Sequence, residues 1–189
     1  MMAFLLMLFS LSFSAFAQES DNVMSLSPPK NLPAFILKTA ENKKFDIKQL
    51  QTHYSILFFG FTRCQMVCPT TMMVLKQAYT RLEKDKKILP QVIFVSIDTE
   101  GDTPQKADNY AKSFDPHFMG VAGKSDQITA LTRSLGVLYM KVKQGSMDTI
   151  DHSANLFLIN PEGRVQAIFS PPYEANTLAK EISKAVKMQ

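Results

Sequence analysis

The sequence predicts an α/β fold, with a central mixed sheet flanked by helices, on three observations. Apolar runs typical of buried strands alternate with amphipathic stretches typical of helices. The chain holds two cysteines, Cys64 and Cys68, with three residues between them. Both follow a long apolar run and precede a helical pattern, so the thiols lie in a strand-to-helix turn. Two thiols this close either bind a soft metal or cycle between dithiol and disulfide.

Residues 1–17 have the pattern of a secretory signal peptide. Residues 3–16 are almost wholly apolar, and Ala15-Phe16-Ala17 supplies the small-x-small pattern that signal peptidase reads. An uncleaved membrane anchor is the alternative, but the stretch is shorter than the ~20 residues that a spanning helix needs. We therefore predict cleavage after Ala17 and export to the periplasm, with membrane attachment only if the segment is retained.

Residues 18–33 are rich in Ser, Asn and Pro, and we predict a flexible linker there. One globular domain is predicted over residues 34–189, without an internal repeat. The net charge of +4 comes from 21 basic residues spread among 17 acidic ones. This density of basic residues is too low for a nucleic-acid surface, which excludes that class of function.

In chain order, the first predicted elements are a short hairpin, a buried strand, a helix and a second buried strand. The hairpin pairs residues 35–38 with residues 44–45. The continuous apolar run at 55–59 is typical of a strand buried on both faces. Residues 69–85 carry apolar side chains at helical spacing, and residues 92–97 form the second apolar run.

The second half of the domain begins with a helix at Thr103-Pro104, where threonine is the N-cap and proline takes the first helical position. The remaining patterns predict a helix, two strands joined by a tight turn, and a final helix, at residues 125–135, 155–159, 165–169 and 174–186. A βαβ unit with a thiol pair after its first buried strand is typical of the thioredoxin-like fold, which we predict for this domain.

The chemistry of the turn depends on the two thiols being ionised. Pro69 opens the predicted helix, so Cys68 lies at or just before its N-terminus, where free amide groups favour negative charge. Arg63 adds a cation beside Cys64. We therefore expect a lowered pKa for both thiols. A loop of three intervening residues can open around a metal or close into a disulfide, so the spacing alone leaves both uses open.

A third ligand would turn the thiol pair into a site for both Cu(I) and Cu(II). The chain has three histidines. His53 precedes the strand at 55–59, at the end opposite the cysteines, and His117 lies in a polar loop. His152 lies in the loop that enters the strand at 155–159, which packs beside the cysteine turn in a thioredoxin-like sheet. From the residues alone, a hydrogen-bonded loop histidine explains His152 as well as a metal ligand does.

Four segments, in this order and spacing, resemble the Sco/SenC family. They are GFTxCxxxCPT at residues 60–70, SIDxxxDTP at 96–104, DHS at 151–153 and LINPEG at 158–163. The resemblance covers about residues 30–189. It implies a thioredoxin-like copper protein that assists assembly of the copper site of cytochrome c oxidase.

The resemblance also implies a ligand set and partners. The family's copper ligands map onto Cys64, Cys68 and His152. The partner implied is a copper-accepting protein, either a cytochrome c oxidase subunit or another copper chaperone. The acidic loop at residues 98–102 matches a family segment near the site, which indicates a supporting role, although helix capping explains Asp102 equally well.

The chain departs from the family pattern at two places. Arg63-Cys64-Gln65-Met66 stands where members often carry His-Cys-Pro-Asp, and Thr99 stands where proline is usual. The three ligand residues are retained. The resemblance gives no expectation for the copper affinity or the redox potential of this chain. Among the methionines, Met66 and Met147 are candidates for a site role, because thioethers are soft ligands. Two others, Met72 and Met140, are expected to fill gaps in the core.

Three functions compete on the sequence: a periplasmic metallochaperone for copper, a thiol-disulfide reductase that keeps a partner's copper-binding cysteines reduced, and a redox or copper sensor. In the reductase reading Cys64 and Cys68 are the redox-active pair, and Cys64 is the attacking thiol. Two features favour copper. Exchange chemistry has little need of His152, and the loop before Asn155 lacks the cis-proline that thiol-disulfide enzymes of this fold place beside their cysteines.

Overall fold

A computed structural model describes residues 22–144 and 147–187. Ten strands and four helices, with one short 3₁₀ helix at Ile47–Leu50, make up this part of the chain. In chain order they are β1 Val23–Asn31, β2 Leu37–Lys38, β3 Lys44–Phe45, β4 Ser55–Gly60, α1 Val67–Lys84, β5 Gln91–Ser96, α2 Pro104–Lys112, β6 Met119–Val121, α3 Ser125–Leu135, β7 Tyr139–Gln144, β8 Met147–His152, β9 Leu156–Ile159, β10 Arg164–Phe169 and α4 Ala175–Lys187.

Six of the strands form one mixed sheet in the order β1-β10-β9-β4-β5-β6. The strands β4, β5 and β6 run parallel, whereas β9 pairs antiparallel with both β4 and β10. The α2 helix packs on β5 and β6, and α1 packs against α4. This is the predicted central mixed sheet with flanking helices, in the thioredoxin-like arrangement.

The core lies on the central strands, because their apolar runs are buried on both faces. Every residue of β4 is buried, and Phe58 is paired in register with Phe94 on β5 and with Leu156 on β9. The ring of Phe59 meets that of Phe157 edge to face at a centroid distance of 5.8 Å. The strand β4 is therefore held on both sides, and its carboxyl end, where the cysteine turn begins, has a fixed position.

The α1 helix begins at Val67, two residues earlier than predicted, with Met66 at its N-cap. Proline is tolerated in the first turn because the amide groups there have no partner within the helix. Cys68 therefore lies inside the first turn of α1. The α2 helix begins as predicted, since the Thr103 side chain accepts a hydrogen bond from the Lys106 amide at 3.2 Å.

The predicted flexible linker over residues 18–33 does not hold for Val23–Asn31. This segment is the edge strand β1, paired antiparallel with β10. The pairing shifts register between Ser25 and Lys30, around the two prolines, and an edge strand tolerates proline because one side of it needs no ladder hydrogen bonds. The predicted signal peptide and residues 18–21 lie outside the described part of the chain. Within that part, no helix is long and apolar enough to cross a membrane.

The short strand β6 and the hairpin formed by β7 and β8 were not predicted either. The hairpin is a separate two-stranded sheet that pairs Tyr139 with His152 and Gln144 with Met147. Met140 on β7 is 64% exposed, and Leu138, just before the strand, is 77% exposed. On β8, the side chain of Ile150 is buried. The side chains described in the hairpin are mostly exposed or half-buried, so its strands show little of the apolar alternation by which strands are recognised.

Candidate metal centre

The structure brings together the three side chains that the sequence singled out. The sulfur atoms of Cys64 and Cys68 and a ring nitrogen of His152 lie within 4.8 Å of one another. The Cys68 sulfur is 3.2 Å from the Nε2 atom of His152. Both cysteines are free thiols in the structure. The cluster combines Cys64 from the turn between β4 and α1, Cys68 from the first turn of α1 and His152 from the end of β8.

The thiols differ in exposure. Cys64 is half-buried, whereas Cys68 is buried completely, at 0% relative exposure. The amide of Cys68 donates to the Cys64 sulfur at 3.3 Å, which folds the turn back on itself. A Cβ atom added at Gly60 would lie 2.7 Å from the Cys68 sulfur and 2.9 Å from the Phe94 ring. The last residue of β4 must therefore be glycine for the buried sulfur to lie against the strand.

The two thiols have opposite pKa shifts. A hydrogen bond from the Cys68 thiol, with further donation from the Cys68 and Met66 amides, lowers the pKa of Cys64 to about 5 despite its partial burial. The same interaction with Cys64, together with burial, raises the pKa of Cys68. The expectation that both values fall is wrong for Cys68, because a buried thiol beside a thiolate resists becoming a second anion. At neutral pH the pair holds one thiolate and one thiol.

His152 is the last residue of β8. The prediction that it lies in a loop is therefore wrong. Its Nδ1 atom is 3.1 Å from the Ser153 carbonyl oxygen. Donation from Nδ1 to that oxygen leaves the lone pair of Nε2 pointing at the Cys68 sulfur. Phe61 and Phe58 flank the imidazole, at ring-centroid distances of 6.0 and 6.2 Å. The imidazole is therefore oriented as a ligand or as a proton acceptor for Cys68.

Asp102 braces the cysteine turn. Its carboxylate accepts hydrogen bonds from the Thr62 amide at 2.9 Å, the Thr62 hydroxyl at 2.5 Å and the Ser96 hydroxyl at 2.6 Å. The capping alternative for Asp102 is wrong, since the N-cap of α2 is Thr103. The predicted supporting role of the acidic loop thus has a specific form, in which a buried carboxylate holds the turn to the end of β5.

Asp98 ties the same loop to Arg63, whose guanidinium lies 2.6 Å from the carboxylate. Burial raises the pKa of Asp98, but the bonds from Arg63 and from the Gly101 amide outweigh burial and lower it. A second ion pair joins Glu100 to Lys141 on the hairpin at 2.7 Å. The acidic loop therefore contacts both parts of the site.

The other two histidines lie apart from the cluster. His53 is hydrogen-bonded to Gln91 at 2.9 Å. His117 is paired with Asp115 at 2.9 Å and stacks on the ring of Tyr79. Neither is grouped with the thiols, in keeping with the low weight that the sequence gave them.

The burial of the methionines agrees only in part with the prediction. Met72 fills the core, as expected, at 0% relative exposure. Met140 does not, because it is exposed on the hairpin. Met66 is 74% exposed at the mouth of the cysteine turn. The side chain of Met147 lies outside the described part of the chain.

Sequence reasoning missed the residues that shape the site without being ligands. Gly60 and Thr62 were noted as parts of a motif. The close approach of the Cys68 sulfur to Gly60 and the hydrogen bond from Thr62 to Asp102 were not predicted. A glycine at the end of an apolar strand, directly before a thiol pair, is a signal that could have identified the close contact. Phe58 and Phe61 carried no signal beyond that of core residues.

Residues 25–187 match the sequence model of the SCO1/SenC family. The chain is 29% identical over 154 residues to the mitochondrial protein SCO1 homolog 1 of Arabidopsis thaliana, covering 81% of this chain and 46% of that protein. It is 32% identical over 147 residues to a SCO2-like protein of Rickettsia prowazekii, covering 76% of this chain and 69% of that protein. The chain thus spans about half the length of the first relative.

The fold is similar to solved structures. The crystal structure of Arabidopsis thaliana ScoI with copper bound superposes with a TM-score of 0.80 at 28% identity. The match covers 84% of this chain and 99% of that one. A copper-bound protein therefore shares the arrangement of strands and helices described above.

Proposed function

The chain belongs to the SCO1/SenC family, and we propose that it is an exported copper-binding protein acting as a metallochaperone for the copper site of cytochrome c oxidase or of another copper protein. The observation that carries the proposal is the convergence of Cys64, Cys68 and His152 within 4.8 Å. The similarity to a ScoI structure with copper bound supports it.

The donor set fits copper. Thiolates are soft ligands that suit Cu(I), and an imidazole adds a donor that also suits Cu(II). In a trigonal site with bonds of roughly 2.0–2.3 Å, ligand atoms stand about 3.5–4 Å apart, so the present 4.8 Å limit needs only a small closure. Ligation requires the thiolate form of both cysteines, so Cys68 releases its proton when the metal binds. One thiolate is ready at neutral pH and the imidazole already faces the pair.

The exposure of the ligands indicates the side from which copper can be transferred to an accepting protein. Cys68 is enclosed by the β4–α1 turn, whereas Cys64 is half-buried and reachable from solvent. A ligand from an accepting protein can approach the metal on the Cys64 side. Transfer by ligand exchange would then release the bond to Cys64 first and the bond to Cys68 last.

A second candidate function, thiol-disulfide reduction, is favoured by one observation. Cys64 has a pKa of about 5 and lies beside a buried thiol, as in an attacking and resolving pair. In this reaction the Cys64 thiolate attacks a partner disulfide, forms a mixed disulfide and displaces one partner thiolate. The Cys68 sulfur, giving its proton to His152, then attacks Cys64. This forms the Cys64–Cys68 disulfide and frees the second partner thiol, so that two electrons pass to the partner.

The 3.2 Å contact between Cys68 and His152 means that both functions use the imidazole. A His152→Ala variant impairs both and does not separate them. A His152→Met variant does, because a thioether is a soft ligand for Cu(I) but does not accept a proton. A chaperone should keep much of its Cu(I) binding in this variant, whereas a reductase should lose the resolving step.

The test is a Cu(I) titration of the reduced protein against a competing chelator, with Cu(II) absorption recorded in parallel. We expect one copper per chain and a sulfur-to-copper charge-transfer band. Both should be lost in Cys64→Ser and Cys68→Ser, and the band should change in His152→Ala. His117→Ala is the matched control. A wild-type protein that binds no copper but reduces disulfides, with His152→Met inactive, would replace the chaperone by the reductase.

A further inference from the structure

A cleft of about 440 Å³ lies between the C-terminal part of α1 and the helix α4, which pack against each other. Its floor is apolar, because Leu82 and Ala179 are buried at 2% and 3% relative exposure. The α1 helix rises about 1.5 Å per residue, so Leu82 lies about 20 Å along the helix from Cys68. The sides of the cleft are polar and mostly basic, and they include Arg81, Asp85, Lys87, Lys180, Ser183 and Lys184. The cleft is therefore separate from the metal centre and differs from it in chemistry.

The two segments that form the cleft carry most of the net charge of the chain. Residues 81–87 and 176–184 hold six basic and three acidic side chains, a net charge of +3. The whole chain has a net charge of +4, so the remaining residues together are close to neutral. Asp85 is the one acid among the described residues that line the cleft. A concentration of one sign of charge around a concave surface attracts groups of the opposite sign.

Local interactions within the domain account for some of these cations but not for all. Arg81 lies in the last turn of α1, where a helix end favours a cation, and it pairs with Asp85 at 3.3 Å. Lys184 is paired within α4 at 2.8 Å. Lys87 lies beyond the end of α1 and Lys180 lies in the middle of α4, and neither makes an ion pair within the described part of the chain. Two uncompensated ammonium groups thus line an apolar floor from opposite walls.

We propose that this cleft binds an acidic segment of a partner protein, in which an apolar side chain lies between two carboxylates. The carboxylates pair with Lys87 and Lys180, and the apolar side chain covers the floor formed by Leu82 and Ala179. Complementary charges of this kind speed the encounter of two proteins and select against partners of the wrong charge. A cleft between two helices fits a protein segment better than a lipid surface, because a flat surface reaches only the tips of the cations. The inference does not rest on the proposed copper function, and a partner held here leaves the metal centre accessible.

The test measures binding of a fluorescein-labelled peptide of alternating glutamate and leucine to the whole protein, by fluorescence anisotropy at low salt. The double variant Lys87→Glu/Lys180→Glu should weaken binding about tenfold, because two attractive pairs become repulsive. Ser183→Phe fills the cleft without changing any charge and should also weaken binding. Lys43→Glu/Lys124→Glu is the matched control, since both lysines are exposed and lie outside the cleft. It makes the same change in net charge and should weaken binding less than about twofold, because charges beyond a Debye length are screened.

The outcomes that would overturn the inference are distinct. A wild-type protein that does not bind the peptide has no such site. Equal losses in the two double variants would show that net charge, and not the cleft, attracts the peptide. Unchanged binding in a folded Ser183→Phe variant would show that the segment does not enter the cleft. Sedimentation with vesicles of phosphatidylcholine and phosphatidylglycerol tests the lipid alternative, and vesicle binding without peptide binding would replace the protein partner by a membrane. Copper titration of the same variants should match the wild type, so the proposed function stands or falls separately.

Discussion

The cysteine turn and the β7–β8 hairpin contribute to one site but are stabilised to very different degrees. The turn joins two elements of the core, and Asp102 anchors it through three hydrogen bonds at 2.5–2.9 Å. The hairpin is a separate two-stranded sheet with an exposed outer face. An isolated hairpin is marginally stable, so its position depends on a few contacts with the domain.

These contacts include a hydrogen bond between the hydroxyls of Tyr139 and Thr129 at 3.2 Å and the burial of Ile150 in the core. The Ser153 amide donates to the Leu138 carbonyl at 2.9 Å, and the Ser153 hydroxyl accepts from the Leu138 amide at 3.2 Å, which closes the base of the hairpin. Lys141 pairs with Glu100 on the surface. The thiols therefore form a preorganised pair, and the imidazole comes from a region that opens at lower free energy. Loss of the turn should abolish the site, whereas loosening the hairpin should only weaken it.

The largest effect is expected from oxidation of the turn. Joining Cys64 to Cys68 removes both thiolates, so copper binding should be abolished while the fold is retained. Mass spectrometry after thiol alkylation, before and after air oxidation, identifies the bridge, and a copper titration measures the loss. If the fully oxidised protein bound copper with unchanged affinity, the metal would have to lie elsewhere in the chain.

A large effect is also expected from Asp102→Ala. The substitution leaves three donors around the turn without their acceptor, for a loss of about 3–4 kcal/mol in the free energy of unfolding. Copper affinity should fall with it, because the two thiols lose their fixed separation. Chemical denaturation and copper titration give the two numbers. Asp126→Ala is the control, as Asp126 is hydrogen-bonded to Gln127 on the surface, and it should change neither by more than about 0.5 kcal/mol.

These two regions also mark how far the sequence could predict the structure. The long apolar runs predicted β4, β5 and the helices around them, because burial on both faces leaves a continuous signal. Cys64 and Cys68 could be found from spacing alone, and His152 from a resemblance. The hairpin was missed because the side chains described in its strands are mostly exposed or half-buried. The edge strand β1 was missed because its two prolines resemble a linker.

The opposite pKa shifts of the two thiols could not be predicted from the sequence either. A helix N-terminus and Arg63 predict two lowered values, whereas the complete burial of Cys68 beside Cys64 reverses one of them. Burial and the bond between the two thiols follow from the turn's three-dimensional shape, not from its residue types.

A moderate effect concerns pH and tests the turn alone. Because the pKa of Cys64 is lowered to about 5, its alkylation rate should be nearly constant from pH 8 to 6 and fall by half near pH 5. An ordinary thiol, with a pKa near 8.5, should lose its reactivity about three units higher. The thiolate form that the fold favours is thus lost as the pH falls through 5. Iodoacetamide kinetics of Cys68→Ser, compared with the native protein, show how much of the shift depends on the bond from Cys68, and a half-point near 8 in the native protein would contradict it.

The smallest effect is expected from the surface tie of the hairpin. Lys141→Ala removes the ion pair with Glu100, which is worth about 0–1 kcal/mol because both side chains are exposed. The substitution should affect the position of His152 but not that of the thiols. We therefore expect a Cu(II) affinity lower by about two- to fivefold, with the alkylation profile of Cys64 unchanged. Raising the salt concentration should produce the same loss in the wild type and none in the variant, since exposed pairs are screened. An altered Cys64 profile in Lys141→Ala would show that the hairpin and the turn are one structural unit, and the distinction between them would be wrong.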